Sequence, residues 1–180
     1  MENIAILTGG DSAEYNISLL SANTVLKNLN TNLFKGYIVH LKDNIFTVLI
    51  NNQSISIDKT DFSFFYNNKK VSLSKVFMAL HGPPAENGLI QPYFDNLNIP
   101  YTSCNAEVSY LTFNKYLCNT NLRRLGFQCA KSLLLNKEDT TNKQLIIALT
   151  SNNNINACLL FLESLSRDST IHIIIVDNYL

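Results

Sequence analysis

Two short segments of this chain bring together residue types that handle charge and protons. The first, Gly9-Gly10-Asp11-Ser12-Ala13-Glu14, is a glycine turn that leaves an apolar run and enters a helical pattern. A carboxylate in such a turn can receive an ammonium group, while the free N–H groups of a helix start favour anions. The plainer reading is a turn with Ser12 or Asn16 as helix cap. The second segment, His81-Gly82-Pro83-Pro84-Ala85-Glu86-Asn87-Gly88, follows directly on the apolar stretch from Val76 to Leu80. A histidine leaving a buried strand there can move a proton or touch a substrate. Alternatively, His81 satisfies a local backbone carbonyl while Glu86 favours the N-terminus of the next helix. A third candidate is Lys115, within Leu111-Thr112-Phe113-Asn114-Lys115-Tyr116, although a helical lysine is ordinarily a solvated residue. Neither G-x-G-x-x-G nor a P-loop lysine is present, so these glycines do not support dinucleotide or Walker-type binding.

The elements that would position these residues follow from hydrophobic periodicity. Asn3 to Leu7 reads as a strand ended by Thr8-Gly9-Gly10, and Leu19, Ala22, Leu26 and Leu29 share one face of the helix after it. Lys35 to Leu41 returns as a second strand, completing a βαβ unit of a parallel sheet. Between Asp43 and Val71, Ile45 to Ile50 and Ser54 to Ile57 flank the turn Asn51-Asn52-Gln53, which predicts a hairpin at the sheet's margin. Val76 to Leu80 is apolar throughout, as a strand buried on both faces should be, and it delivers His81 to its C-terminal end. A helix from about Gly88 to Leu97 follows, then an extended piece at Pro100-Tyr101-Thr102, then one or two helices between Asn105 and Leu125, then a strand from Lys131 to Leu135. The glycine turn and the histidine loop thus fall at the carboxyl ends of neighbouring parallel strands, where ligands gather.

Read together, the three segments resemble one family in order and approximate spacing. Gly9-Gly10-Asp11-Ser12-Ala13-Glu14-Tyr15-Asn16-Ile17-Ser18-Leu19 is similar to the G-G-x-S-x-E-x-x-V-S-L that opens D-alanine–D-alanine ligases. His81-Gly82, Glu86, Gly88 and Gln91 resemble that family's H-G-x-x-G-E-D-G-x-x-Q-G. Ile99-Pro100-Tyr101-Thr102 and, later, Thr112-Phe113-Asn114-Lys115 are similar to its I-P-Y-T and the D-K helix beyond. The resemblance covers about the first 135 residues. It implies a Rossmann-like α/β domain, a parallel sheet with flanking helices that precedes an ATP-grasp fold, in an enzyme of cell-wall precursor synthesis. There the carboxylate of a first D-alanine attacks the γ-phosphate of ATP, and the amine of a second D-alanine attacks the acyl phosphate, with magnesium and cations stabilising the phosphoryl charge. Carried over by position, the resemblance gives Glu14 the ammonium of the first D-alanine, sets His81 in the same pocket, makes Ile17 and Ser18 its wall, and directs Lys115 toward ATP. Three departures fall in one motif: Ala85 replaces a glycine, Asn87 an aspartate and Pro92 a glycine. Ala85 and Pro92 restrict backbone angles that glycine leaves open, and Asn87 removes a charge.

Asn136 to Gln144 is polar and charged and reads as a linker, with a strand-helix-strand fragment over residues 145–180. That tail weakly resembles the start of a family 2 nucleotide-sugar glycosyltransferase, with Asp177 where an aspartate meets the nucleotide, but it has no D-x-D motif. The ligase family's ATP lysine strand, phosphate loop, metal carboxylates and arginine have no counterpart after Leu135. The expectation is therefore a substrate-side domain that by itself makes no dipeptide; the rivals are a non-catalytic truncated or fused module and a glycosyltransferase fragment.

Composition bounds these readings. With 180 residues, 46% of them hydrophobic and 16% charged, the chain can bury one ordinary core and part of another. Its formal net charge is zero and no basic cluster forms, so no nucleic-acid partner is indicated. The start lacks a basic segment before its apolar run and no stretch is long enough to span a bilayer, which predicts a cytoplasmic protein with no membrane partner. Cys104, Cys118, Cys129 and Cys158 have no C-x-x-C spacing and read as thiols in a reducing compartment. By resemblance a homodimer is allowed.

Overall fold

The computed structural model describes residues 1–51, 53–129 and 132. They fall into two units, Met1–Phe113 and one that begins at Asn114. The predicted linker at 136–144 and the fragment at 145–180 lie outside the described residues, as does the glycosyltransferase-like aspartate.

In the first unit, β1 (Glu2–Gly9) is followed by α1 (Tyr15–Asn28) and β2 (Phe34–Lys42). The chain then runs through β3 (Ile45–Ile50), β4 (Gln53–Ser56), β5 (Ser63–Tyr66), β6 (Lys69–Ser72) and β7 (Lys75–Met78) to α2 (Gln91–Asn96) and α3 (Ala106–Phe113). Five strands form one sheet in the order β4-β3-β2-β1-β7, and β5 and β6 pair separately. β1 is flanked by parallel partners on both sides, with Leu7 opposite Val39 and Met78. That position, paired on both edges and packed on both faces, explains why Ile4 to Leu7 is an unbroken apolar run.

The sheet is mixed rather than wholly parallel, because β3 adds antiparallel to β2 and β4 antiparallel to β3 as the predicted marginal hairpin. Asp43 and Asn44 connect β2 to β3 with φ of 49° and 59°, which suits the primed two-residue turns that match strand twist. Asn67 and Asn68, at 49° and 60°, make the same kind of turn between β5 and β6. The sequence does not mark that second hairpin apart from the first: Phe65 is exposed while Phe64 is buried, but the strand spans only four residues.

One face of the sheet packs Ala5, Leu7, Val39, Leu41, Phe46 and Val48 against Phe62, Phe64 and Phe94. Phe94 anchors α2 there, with its ring 5.1 Å from Phe62 and 5.0 Å from Tyr93 in edge-to-face geometry. The other face packs Ile6 against Ala22, with Val25 and Leu26, so α1 lies across β1. α2 is shorter than the predicted helix from Gly88, because Gly88 has φ +82° and cannot begin a right-handed helix. Pro92 falls in the first turn of α2, where the missing N–H costs no helical hydrogen bond.

His40 stands in register between Thr8 and Thr47 on adjacent strands, and burial lowers its pKa below the ordinary 6.5. Its folded pKa lies below the unfolded one, so between the two the unfolded chain binds more protons and stability falls as pH drops through about 6.5. His40→Gln is expected to flatten that slope, read as a smaller loss of Tm between neutral and mildly acidic buffer than in the parent chain.

In the second unit, α4 (Lys115–Arg124) begins at Asn114, whose side chain accepts the Leu117 N–H at 3.1 Å. Arg123 and Arg124 close it, with charge suited to the helix dipole.

Candidate functional site

Three chain segments meet at the carboxyl ends of β1 and β7. Gly10 N–H donates to Leu41 O at 2.8 Å, and Asp43 N–H donates to Asp11 Oδ1 at 3.2 Å, so the glycine turn is tied to the end of β2. After the turn, Ser12 Oγ accepts the Glu14 N–H at 3.2 Å and donates to His81 O at 3.3 Å. Glu14 is the N-cap residue of α1, but its side chain makes no cap hydrogen bond. Glu14, rather than the expected Ser12 or Asn16, stands at the helix start, and its carboxylate is left exposed at the surface.

From α1, Ser18 and Ser21 reach the histidine. The hydroxyl of Ser18, fully buried, accepts the His81 N–H at 2.9 Å and donates to Glu14 O at 3.2 Å. Ser21 Oγ lies 2.8 Å from His81 Nε2, as donor when the proton is on Nδ1 and as acceptor when it is on Nε2. The imidazole thus finds a helix hydroxyl, not the backbone carbonyl of the plainer reading. Gly82 lets the loop pass close over the helix start: a methyl group there would stand 2.8 Å from Ser12 Oγ and 3.0 Å from Glu14 Oε2, with φ at +73°. The Glu14 carboxylate therefore rests against the Gly82 backbone, beside His81.

Of the residues singled out in the sequence, Glu14, Ser18 and His81 come together here. Ile17, one turn along from Glu14, is about half exposed. Lys115 opens α4 in the second unit. Ser12 enters as a link between the turn and His81 rather than as the expected helix cap, and Ser21 carries a signal of its own: Glu14, Ser18 and Ser21 follow i, i+4, i+7 spacing, a polar stripe down one side of α1.

The loop beyond His81 is held from below by Gln91, which is fully buried at the start of α2. Its Nε2 shares its two hydrogens among three acceptors, Ala85 O at 2.7 Å, Ser109 Oγ at 3.2 Å and Ser103 Oγ at 3.3 Å. Ala85 itself is buried, so the alanine that replaces the motif glycine is packed rather than displaced. Among the described residues no group of three His, Cys, Asp or Glu side chains could hold a metal ion, and no helix is long and apolar enough to cross a membrane.

Ser18→Ala tests the support beneath His81. It removes the acceptor of the His81 N–H inside a buried site, and an unsatisfied donor there costs about 1–3 kcal/mol. The expected result is a lower denaturant midpoint with an unchanged slope.

An α/β domain that carries an acidic turn and a histidine loop at the carboxyl ends of two adjacent parallel strands has the architecture in which ligands gather at those ends. Residues 3–104 match the family described as D-ala D-ala ligase N-terminus, and the chain belongs to that family. Among curated relatives, it is 42% identical over 140 residues to the D-alanine--D-alanine ligase of Azobacteroides pseudotrichonymphae, covering 77% of this chain and 43% of the relative. It is 40% identical over 148 residues to that of Flavobacterium johnsoniae, covering 82% and 46%. The chain thus spans less than half the length of these relatives. Of solved structures, D-alanyl-alanine synthetase A from Vibrio cholerae superposes with a TM-score of 0.67 at 27% identity, over 78% of this chain and 42% of that one. A Bacillus anthracis D-alanine--D-alanine ligase complexed with ATP shares the fold, with a TM-score of 0.66 at 20% identity, over 99% of this chain and 60% of that one.

Proposed function

We propose that this chain contributes the amino-acid-binding side of an ATP-dependent D-alanine–D-alanine ligase, working in the cytoplasm on a peptidoglycan precursor. The observation that carries the reading is the Glu14 carboxylate held against Gly82 beside His81, at the carboxyl ends of two adjacent parallel strands. In this reading Glu14 receives the ammonium of the first D-alanine through charge-assisted hydrogen bonds. His81 borders the same pocket, with its ring turned by Ser21 and its backbone fixed by Ser18. Ile17 supplies an apolar wall one turn from Glu14. The ligand-binding domain then runs from residue 1 to about 135, and Lys115 is the candidate to reach ATP. A homodimer is the assembly to look for.

When bound, ATP supplies the phosphoryl group that activates the first amino acid's carboxylate. Among the described residues no group of three His, Cys, Asp or Glu side chains could hold magnesium. What the first unit offers is orientation: an ammonium fixed at Glu14 would leave the opposite end of the amino acid, its carboxylate, free to be activated. This 180-residue chain on its own is expected to release no phosphate from ATP with D-alanine and magnesium.

Titration with D-alanine, followed by amide NMR shifts, tests the binding role. Shifts confined to the amides of Gly9 to Ser18 and of His81 and Gly82, larger with D-alanine than with L-alanine, are the expected outcome. Equal response to both enantiomers, or shifts elsewhere, would count against the pocket.

A further inference from the structure

We infer that Asn87 is a spontaneous deamidation site, which converts the loop beside His81 from an amide to a carboxylate form. Asn87-Gly88 is the one Asn-Gly pair in the sequence. In such a pair the following nitrogen carries no neighbouring Cβ, so it can reach the asparagine side chain with little steric hindrance.

The local geometry favours the reaction. Asn87 is half-buried and its Oδ1 lies 3.4 Å from the Leu89 nitrogen, a long contact that keeps the side chain beside the Gly88 peptide. Among the described residues the Gly88 N–H meets Ala85 O alone, also at 3.4 Å, beyond the ordinary range for such bonds. Attack by the Gly88 nitrogen on Asn87 Cγ forms the new C–N bond. The bond to the side-chain nitrogen breaks, and ammonia leaves with the proton from Gly88. Water then opens the cyclic imide at either carbonyl, giving aspartate or isoaspartate at position 87.

The two products fit the loop differently. An aspartate carboxylate accepts the Leu89 N–H more strongly than the amide does and leaves the backbone unchanged. An isoaspartate linkage adds a backbone methylene next to Gly88, whose Cα is packed so closely on Ala106 that an added methyl would stand 2.3 Å from Ala106 O. The aspartate form also carries the residue type that the family motif has at this position.

The test is to age the folded chain in mildly alkaline buffer at body temperature and follow it by isoelectric focusing and peptide mass mapping. Acid is expected to accumulate at residue 87 several-fold faster than at any other asparagine, in a form that co-migrates with Asn87→Asp on focusing. Asn87→Gln, whose longer side chain would have to close a larger ring, should remain neutral over the same interval. Residue 87 staying an amide in the folded chain would overturn the inference, as would Asn87→Gln acidifying at the parent rate.

Discussion

Glu14→Gln, placed in a full-length ligase that carries this segment, is expected to weaken the apparent affinity for the first D-alanine by roughly 2–5 kcal/mol, about thirtyfold or more, with ATP affinity little changed. The substitution keeps the shape and removes the charge. In the free chain Glu14 is exposed at the start of α1 and makes no capping hydrogen bond, so its charge contributes little to folding. Only a bound ammonium that excludes water would make the charge count. If Glu14 were no more than a helix-terminus residue, the same change would lower stability by about 0.3–1 kcal/mol and leave first-site kinetics intact. Measuring Tm and first-site D-alanine kinetics on the same variant separates the two accounts.

Gly88→Ala should be the most damaging single substitution in the loop. An added methyl would stand 2.3 Å from Ala106 O, with Ala106 C at 3.1 Å and Cα at 3.2 Å, and the obstacle is backbone that cannot rotate away. The residue also has φ +82°, where an L side chain costs about 1–2 kcal/mol. Overpacking adds about 1–3 kcal/mol, so a total loss near 2–5 kcal/mol is expected in chemical denaturation. Gly126→Ala is the matching control, since it has φ +87° with nothing within 4 Å among the described residues and should show the backbone cost alone. Equal effects from the two would mean that the contact with Ala106 carries no weight.

The outline of the candidate site was legible because its residues sit where periodicity changes. Glu14 follows a glycine turn out of β1, and His81 follows the last apolar residue after β7, so both were placed at strand ends from the order of residues alone. The parallel pairing of β1 with β7 was implied by the same runs and is present in register. Other features depend on contacts between segments far apart in the chain. That Ser21 meets His81, 60 residues away, is set by how α1 lies across the sheet, which periodicity does not specify beyond its buried face. The buried amide of Gln91 was visible as a motif residue, but its hydrogen bonds to Ala85, Ser103 and Ser109 require the folded loop. The hairpin of β5 and β6 escaped for a different reason, because four-residue strands give too few alternations to mark a face.

The claim that this segment is the D-alanine side of a ligase is tested most directly by joining its first 135 residues to the remaining part of the Flavobacterium johnsoniae relative and measuring phosphate release from ATP. The account predicts release that depends on D-alanine, with D-alanyl-D-alanine as product, and its loss at ordinary D-alanine concentrations when Glu14 is changed to Gln. A folded chimera whose phosphate release ignores D-alanine, or whose turnover is the same with Gln at position 14, would contradict it.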